Sequence, residues 1–585
     1  MHKKQGEYMK LVRTLIKNFR SIQSCIVHNG KISALVGENN SGKSAILRAL
    51  NAFFNYEEEE IHFLSGLHQY SNKSLVRIEL VFENIPAKEL YQEKINNDEL
   101  IIRMTYSFTT KKRSIQFKKN GVYQQLNNDF IMSLKEDINY VLIPPNRDER
   151  EIIWAENALI RIVLEEFLRK STSRRDTLSP KVKEAAKNLE RIGLSKVQAA
   201  IEKNYSLNKN FDFKLNFDKQ IDYSLLLNDI TLDIEEKGFR YNITESGSGI
   251  QSLTIIALYR YLAELRHNNI ILGIEEPEIN LHPQAQREFI KSIKDGDSSI
   301  EVQIIFTTHS AVIVDQLDHN EIVLFRKELD SSRGFKTVSF QIPTNFWEKH
   351  NLEEFKYYQY YRYRNSEFFF AKFIIIVESK NDAEVIKFLL AQNNIDPDLF
   401  GVSILNLDGI KNLTYPFHLL KYLNIPKYII IDKDFFVPYF NDKLENSRYE
   451  NGFPKYRYEY KNSQLLIDLV TKEADRVELL GLFKRNHSKA MDLLEKYNII
   501  SMNYCLEIDL VASKKATEKY YEIINVPAEE YEKKTAKYLL VNRQKKIKSI
   551  ENIMKVLNEV EHKNLPNSYK RIKKVLTEKI RETNS

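Results

Sequence analysis

The sequence predicts an α/β protein with two parallel-sheet domains, the first carrying a helical insertion. Three observations lead there. A loop of the form G-x-x-x-x-G-K-S follows the apolar run 32–36. Two further apolar runs in the first 310 residues end in Glu275-Glu276 and in His309. A fresh series beginning at Phe373 ends in Glu378 and in Asp432-Lys433-Asp434. Short apolar runs alternating with helical stretches are the pattern of strands covered on both faces of a parallel sheet. A chain of 585 residues exceeds one core, and 43% hydrophobic residues can fill more than one. The formal charge of +7 permits nucleic-acid contact without requiring it. Cys25 and Cys505, the only cysteines, make no disulfide framework, which fits a reducing, cytoplasmic setting. Arg13, Lys17 and Arg20 break up any signal-peptide core, and no run of about 18 apolar residues offers a membrane span.

Taken in order, the loop Gly37-Glu38-Asn39-Asn40-Ser41-Gly42-Lys43-Ser44 sits between its strand-like run and a helix-like segment, 45–54. That context separates a phosphate loop from a chance glycine cluster. Backbone N–H groups around Gly37, Asn40 and Gly42 are expected to turn toward phosphate oxygens, helped by the positive end of the following helix. Lys43 is expected to reach the β- and γ-phosphates and Ser44 to ligate Mg²⁺, so the chain binds a nucleoside triphosphate. Downstream, Ser246-Gly247-Ser248-Gly249 precedes the helical run 253–265, a Ser/Gly turn suited to a γ-phosphate. The strand-like run 269–274 ends in Glu275-Glu276-Pro277-Glu278. One acid there can hold Mg²⁺ through water, and its neighbour can polarise an attacking water. The run 302–306 leads to Thr307-Thr308-His309, which presents His309 as a γ-phosphate sensor.

In this order the features resemble an ABC-type ATPase head of the SMC/RecF kind, whose first strand Leu15-Ile16-Lys17-Asn18-Phe19-Arg20 resembles. The stretch 275–283, Glu-Glu-Pro-Glu-Ile-Asn-Leu-His-Pro, resembles the extended acidic motif of OLD-family ATPases. The resemblance implies ATP as the nucleotide, Glu275 as the Mg²⁺-side acid and Glu276 as the hydrolytic base. It implies Ser246, Gly247 and Gly249 as a signature loop acting on the nucleotide of a second subunit, hence a homodimer or higher homo-oligomer. Glu275 stands where that group has Asp; the longer side chain still reaches through water. Between loop and signature, 74–117 reads as strands, with 76–82 alternating. Ile143-Pro144-Pro145-Asn146-Arg147 resembles a segment of OLD-type ATPases, with Arg147 either on the nucleotide side or on a surface loop. Residues 149–203 are helical and charged, either a dimerisation element or a solvated hairpin. The expected head is therefore 1–150 plus 206–350, with the insertion at 151–205 and a second domain at 351–585.

Near the boundary, 357–364 mixes tyrosine and arginine, a composition for an interdomain contact or for stacking on nucleic acid. The apolar strand 373–377 then ends in Glu378, and Ser379-Lys380-Asn381-Asp382 opens a helix. The strand 402–407 leads to Asp408-Gly409, and 427–431 ends in Asp432-Lys433-Asp434. Sites in open parallel sheets form beyond the carboxyl ends of strands, so Glu378, Asp432 and Asp434 converge. Carboxylates brought together need cations, and hard oxygen ligands suit Mg²⁺ or Mn²⁺.

This E…DxD pattern resembles the Toprim domain of topoisomerases, primases and OLD-family nucleases, with Val377-Glu378-Ser379-Lys380-Asn381-Asp382 standing for Val-Glu-Gly-x-x-Asp. Glu507, in the apolar run 504–510, resembles the additional metal-binding acid of those nucleases. Lys545 or Lys546, in 543–548, lies where they place a lysine near the scissile phosphate. ATPase head plus Toprim resembles the OLD-family nucleases, the group that includes the nuclease subunit of the Gabija anti-phage system, over nearly the whole chain. The resemblance implies a DNA endonuclease regulated by its ATPase half. Glu378, Asp382, Asp432, Asp434 and Glu507 would hold two cations ~4 Å apart, one activating water and one stabilising the leaving 3′-oxygen. It also implies phage defence, with a helicase or other defence-system protein as a possible partner. The rival readings are an SMC/RecF-like DNA repair ATPase with a non-cleaving Toprim domain and a strand-rejoining Toprim enzyme using a nucleophilic tyrosine.

Overall fold

The computed structural model describes residues 8–71, 75–145, 159–170, 172–189, 191, 196, 232–236, 238–246, 248–266, 269–279, 281–294, 302–330, 334–353, 366–459 and 463–584. Arg147, Gly247, most of the insertion beyond 189 and the tyrosine-arginine segment 357–364 lie outside them. The chain divides into two compact units, Met1–Gln341 and Ile342–Ser585.

The first unit begins with strands β1 (Lys10–Phe19), β2 (Ile22–His28) and β3 (Ile32–Gly37), then helices α1 (Lys43–Phe54) and α2 (Tyr56–Leu64). Strands β4 (Leu75–Glu83), β5 (Leu100–Ser107), β6 (Lys112–Lys119), β7 (Val122–Leu126) and β8 (Ile138–Ile143) follow. After the helices Leu159–Lys170 and Thr172–Leu189 come the hairpin β9 (Asp233–Glu236) and β10 (Phe239–Asn242) and the helix Ser248–Arg266. Strands β11 (Asn269–Glu275), β12 (Gln303–Thr308), β13 (Ile322–Asp330) and β14 (Gly334–Gln341) complete it.

These strands build two six-stranded sheets. One, in the order β14-β13-β3-β12-β11-β8, is parallel except for its edge strand β14. The other, β2-β1-β4-β5-β6-β7, is antiparallel throughout. The sequence signals track this difference. β3, β11 and β12 are buried at every position, whereas β2 and β6 alternate inward and outward. Helix α1 packs against strands of both sheets, which is why Ile46, Leu47, Ala49, Leu50, Ala52 and Phe53 are all fully buried. Burying each large side chain of that set stabilises the fold by roughly 1.5–3 kcal/mol. Gln303 ties the sheets together: its amide accepts from Leu11 N–H at 2.8 Å and donates to Leu11 O at 2.9 Å. Registers of Thr308 with Val36 and of Glu275 with Thr307 bring the ends of β3, β11 and β12 to one edge.

The second unit is built on a four-stranded parallel sheet, β16-β15-β17-β18, from β15 (Phe373–Val377), β16 (Val402–Asn406), β17 (Lys427–Ile431) and β18 (Ile499–Ser501). Every residue of β15 is buried. The helix Lys380–Ala391 follows β15, and the amphipathic helix Asn567–Asn584 packs against it. Among the described residues no helix is long and apolar enough to cross a membrane.

Candidate functional site

At the carboxyl edge of the first sheet, β3 runs into the glycine loop. Gly37 adopts φ +142°, and a Cβ there would stand 2.1 Å from the carbonyl oxygen of Phe325 on β13, so no side chain fits. Gly42 (φ +98°) closes the loop and precedes α1 without a side-chain cap, leaving the first N–H groups of the helix for a ligand. Asn40 is left-handed at φ 59°. The Lys43 ammonium donates to the carbonyls of Gly37 at 2.9 Å and Glu38 at 2.8 Å, folded back across the loop. Burial lowers it to about 8, against the opposing pull of Glu276, Glu278 and Glu38. The Ser41 hydroxyl is buried without a hydrogen-bond partner.

Beside the loop lie the acids of β11. Burial raises Glu275 above the usual carboxylate range, opposed by Arg48, a hydrogen bond with Ser44 and Arg20. Arg48 Nε stands 3.5 Å from Glu275 Oε1. Glu276 is strained, at φ 46°, and its N–H is held by Thr307 O and Thr307 Oγ1, both at 3.1 Å. Its carboxylate lies 3.9 Å from His309 Nε2. Burial, with Lys43 next in weight, lowers the His309 pKa, so the ring is neutral. Glu278 accepts from Thr308 Oγ1 at 2.9 Å and His309 N–H at 2.6 Å, which fixes the turn that presents His309. The structure thus brings Gly37, Gly42, Lys43, Ser44, Glu275, Glu276 and His309 together. Ser246 turns its hydroxyl onto Ile243 O at 2.6 Å. Gly249 lies inside the first turn of the helix Ser248–Arg266 rather than in a loop.

A second cluster forms beyond the carboxyl ends of β15 and β17. Glu378 follows β15, Asp432 and Asp434 follow β17, and Glu507 lies in the first turn of the helix Leu506–Val511. Asp382 joins them from the first turn of Lys380–Ala391. There Ser379 N–H and Oγ–H donate to Asp382 Oδ2 at 2.9 and 2.7 Å, a capping box in which serine caps the helix. Burial is the largest cause that raises Asp432, and Asp382, Glu378, Asp434 and Glu507 all push it further. Glu378 rises to about 7 through burial, then Asp434 and Asp382, although Ile410 N–H donates to it. Burial and Glu507 raise Asp382 against the Ser379 hydrogen bonds. Glu378, Asp382 and Asp432 are pushed up by burial and by their acidic neighbours, Asp434 and Glu507 among them, so the cluster gathers hard oxygen donors and negative charge that a divalent cation would relieve.

Asp509, two residues past Glu507, has a different place. It is buried and accepts from Asn503 N–H at 2.8 Å and Tyr504 N–H at 2.7 Å, so it shapes the loop rather than the cluster. The basic stretch differs from expectation. The four-residue helix Gln544–Ile547 anchors itself by buried Ile547, which leaves Lys545 and Lys546 exposed. Lys548, just beyond it, carries its ammonium to 3.3 Å from Glu507 Oε1. Asn381 Nδ2 donates to Lys548 O at 3.0 Å and ties this segment to the acid-bearing turn. Lys548 belongs to the same basic stretch, two residues past Lys546, where position along the chain gives no preference among the lysines. Arg48 carried no motif, only its place five residues after Lys43.

Residues 9–157 and 145–314 match the AAA ATPase domain family, and 369–434 match the Overcoming lysogenization defect protein-like Toprim domain. Three curated relatives are nucleases. The OLD nuclease of Thermus scotoductus is 28% identical over 207 residues, 35% of this chain and 39% of that protein. Endonuclease GajA of Bacillus cereus is 24% identical over 398 residues, 63% of this chain and 57% of that one. The Old nuclease of Escherichia phage P2 is 23% identical over 476 residues, 73% of this chain and 78% of that one. The chain therefore spans less than two thirds of the length of the first two relatives.

Proposed function

The chain belongs to the AAA ATPase domain family and carries an OLD-like Toprim domain, and on that premise we propose that it is an ATP-regulated, metal-dependent DNA endonuclease. One observation carries the reading. Glu378, Asp382, Asp432, Asp434 and Glu507 converge at the carboxyl edge of a parallel sheet, in a chain whose other unit holds a phosphate loop. These five acids would hold Mg²⁺ or Mn²⁺, which when bound neutralises them and supplies a polarised water for phosphodiester hydrolysis. Burial and its acidic neighbours raise Glu378 to about 7, so a cation held there would compete with its proton. Asp382 is oriented by its capping box. Lys548, beside Glu507, is suited to meet negative charge on the cleaved phosphate, the role that the family resemblance gives to Lys545 or Lys546.

In the ATPase unit, Lys43 exchanges its two loop carbonyls for phosphate oxygens, and Ser44 with Glu275 would hold the nucleotide's Mg²⁺. Glu276 is suited to orient the attacking water and neutral His309 to report the γ-phosphate. Ser246, Gly247 and Gly249 acting on a second subunit would make the active form a homo-oligomer. A role in phage defence, with a helicase or other defence-system partner, follows the same family reading.

The test incubates purified protein with supercoiled plasmid and Mg²⁺ or Mn²⁺, with and without ATP, beside Glu378→Ala and Asp432→Ala. Cleavage by wild type that is lost in both variants supports the nuclease. Plasmid left intact, despite ATP turnover that Lys43→Ala abolishes, sinks it in favour of a non-cleaving DNA repair ATPase.

A further inference from the structure

Ser44 and Arg48 lie four residues apart on α1, so they share one face of the helix. Arg48 crosses from that face to the end of β11, where its Nε stands 3.5 Å from Glu275 Oε1. The same guanidinium places Nη1 3.2 Å from Glu59 Oε1 on α2. Glu59 is the fixed end of this bridge. Its side chain is fully buried, Asn51 Nδ2 donates to its Oε1 at 3.0 Å, and His68 Nε2 lies 2.9 Å from its Oε2. Arg48 therefore joins an acid anchored in the interior to one at the nucleotide edge.

The spacing of helix and strand is set by a separate device. The Tyr140 hydroxyl, from β8, donates to Leu47 O at 2.9 Å, the residue just before Arg48. A Cβ at Gly273 on β11 would stand 1.9 Å from that same hydroxyl. Glycine at 273 is what lets the tyrosine reach across β11 to α1. The backbone that carries Arg48 and the strand that carries Glu275 are thus braced independently of the ion pair. What the ion pair adds is a hold on the tip of a glutamate, a long side chain whose torsions cost entropy to order.

We propose that Arg48 is a positioning residue: anchored by Glu59, it holds the Glu275 carboxylate beside Ser44 so that the nucleotide's Mg²⁺ meets an ordered ligand. The inference rests on the reading of Glu275 as the Mg²⁺-side acid of the ATPase unit.

The test titrates Mg²⁺ against binding of a fluorescent ATP analogue to the full-length protein. Arg48→Ala should raise the half-saturating Mg²⁺ roughly 10-fold or more, the scale for residues that orient a metal's ligands, and leave analogue binding without Mg²⁺ unchanged. Arg48→Lys keeps the charge but not the two-way span, so it should give an intermediate loss, and it carries the test if the alanine variant does not fold. Glu275→Asp draws the carboxylate back from Arg48. In that background Arg48→Ala should change the Mg²⁺ requirement by less than about threefold, because the two changes remove one interaction. A wild-type Mg²⁺ requirement in Arg48→Ala overturns the inference and leaves the ATPase reading intact. An equal loss in both backgrounds, or weaker analogue binding without Mg²⁺, overturns it too, since either is the mark of a general structural role. Wild-type protein whose analogue binding ignores Mg²⁺ removes the reading beneath it.

Discussion

Glu59 on α2 is a buried carboxylate met by four donors. They are His68 Nε2 at 2.9 Å, His62 Nδ1 and Asn51 Nδ2 at 3.0 Å, and Arg48 Nη1 at 3.2 Å. Burial pushes this acid up, yet the hydrogen bonds led by His68 win and hold it down at about 2. The trio Glu59, His62 and His68 has the composition of a metal site, but its hydrogen bonding argues otherwise. Arg20 Nε–H donates to His68 Nδ1 at 3.1 Å, which places the ring proton on Nε2, facing Glu59. A metal on Nε2 would need a proton on Nδ1, and arginine cannot accept it. The cluster instead aims Arg48, which spans Glu59 and Glu275. Glu59→Ala should therefore cost about 3–5 kcal/mol in urea denaturation, the scale of breaking a buried ion pair, and slow ATP turnover beyond that loss. At Glu378, a folded pKa of about 7 against 4.5 unfolded means protons favour the native state. This contribution, on the order of 3 kcal/mol at most, is present below pH 4.5 and lost as pH rises through 7. Mn²⁺ must displace the same proton, so its affinity, read by calorimetry, should fall about tenfold per pH unit below 7 and level off above it. A flat affinity between pH 5.5 and 7 would remove Glu378 from the cation site.

At the scale of elements, the β3-loop-α1 unit was the most legible. An apolar run, a glycine loop and a helix follow one another locally, so their geometry is written in adjacent residues. Gly37→Ala tests how tightly: the Cβ would collide with Phe325 O, so nucleotide binding by fluorescence titration should disappear and the melting temperature drop. A variant that binds normally would show that β13 can yield. The parallel strands β11, β12, β15 and β17 were legible for the same reason, as uniformly apolar runs ended by a charged or polar residue. The β13–β14 hairpin was not read, because β13 begins apolar and ends alternating and its partner is half-exposed along most of its length. Lys548 was missed because Ile547, not the local charge pattern, decides which lysine faces the acids.

At the scale of the whole molecule, a phosphate loop and an acid cluster occupy separate compact units. Lys43→Ala should therefore abolish any effect of ATP on plasmid cleavage while leaving Mn²⁺ binding at the acids unchanged; altered Mn²⁺ affinity would mean the units do not act as separable parts. The sequence by itself determined the two α/β units, the nucleotide loop with Glu275, Glu276 and His309, and the carboxylates at strand ends. Each of these is a local signal: residue type at fixed spacing from an apolar run. Only the tertiary structure decided that Asp509 turns to the backbone of Asn503 and Tyr504, that Lys548 carries its ammonium to Glu507, that Arg48 links Glu59 to Glu275, and that Tyr456 stacks on Tyr439 and Tyr504. Those choices depend on which side chains distant in sequence compete for the same space and the same hydrogen bonds, and no spacing along the chain encodes that competition.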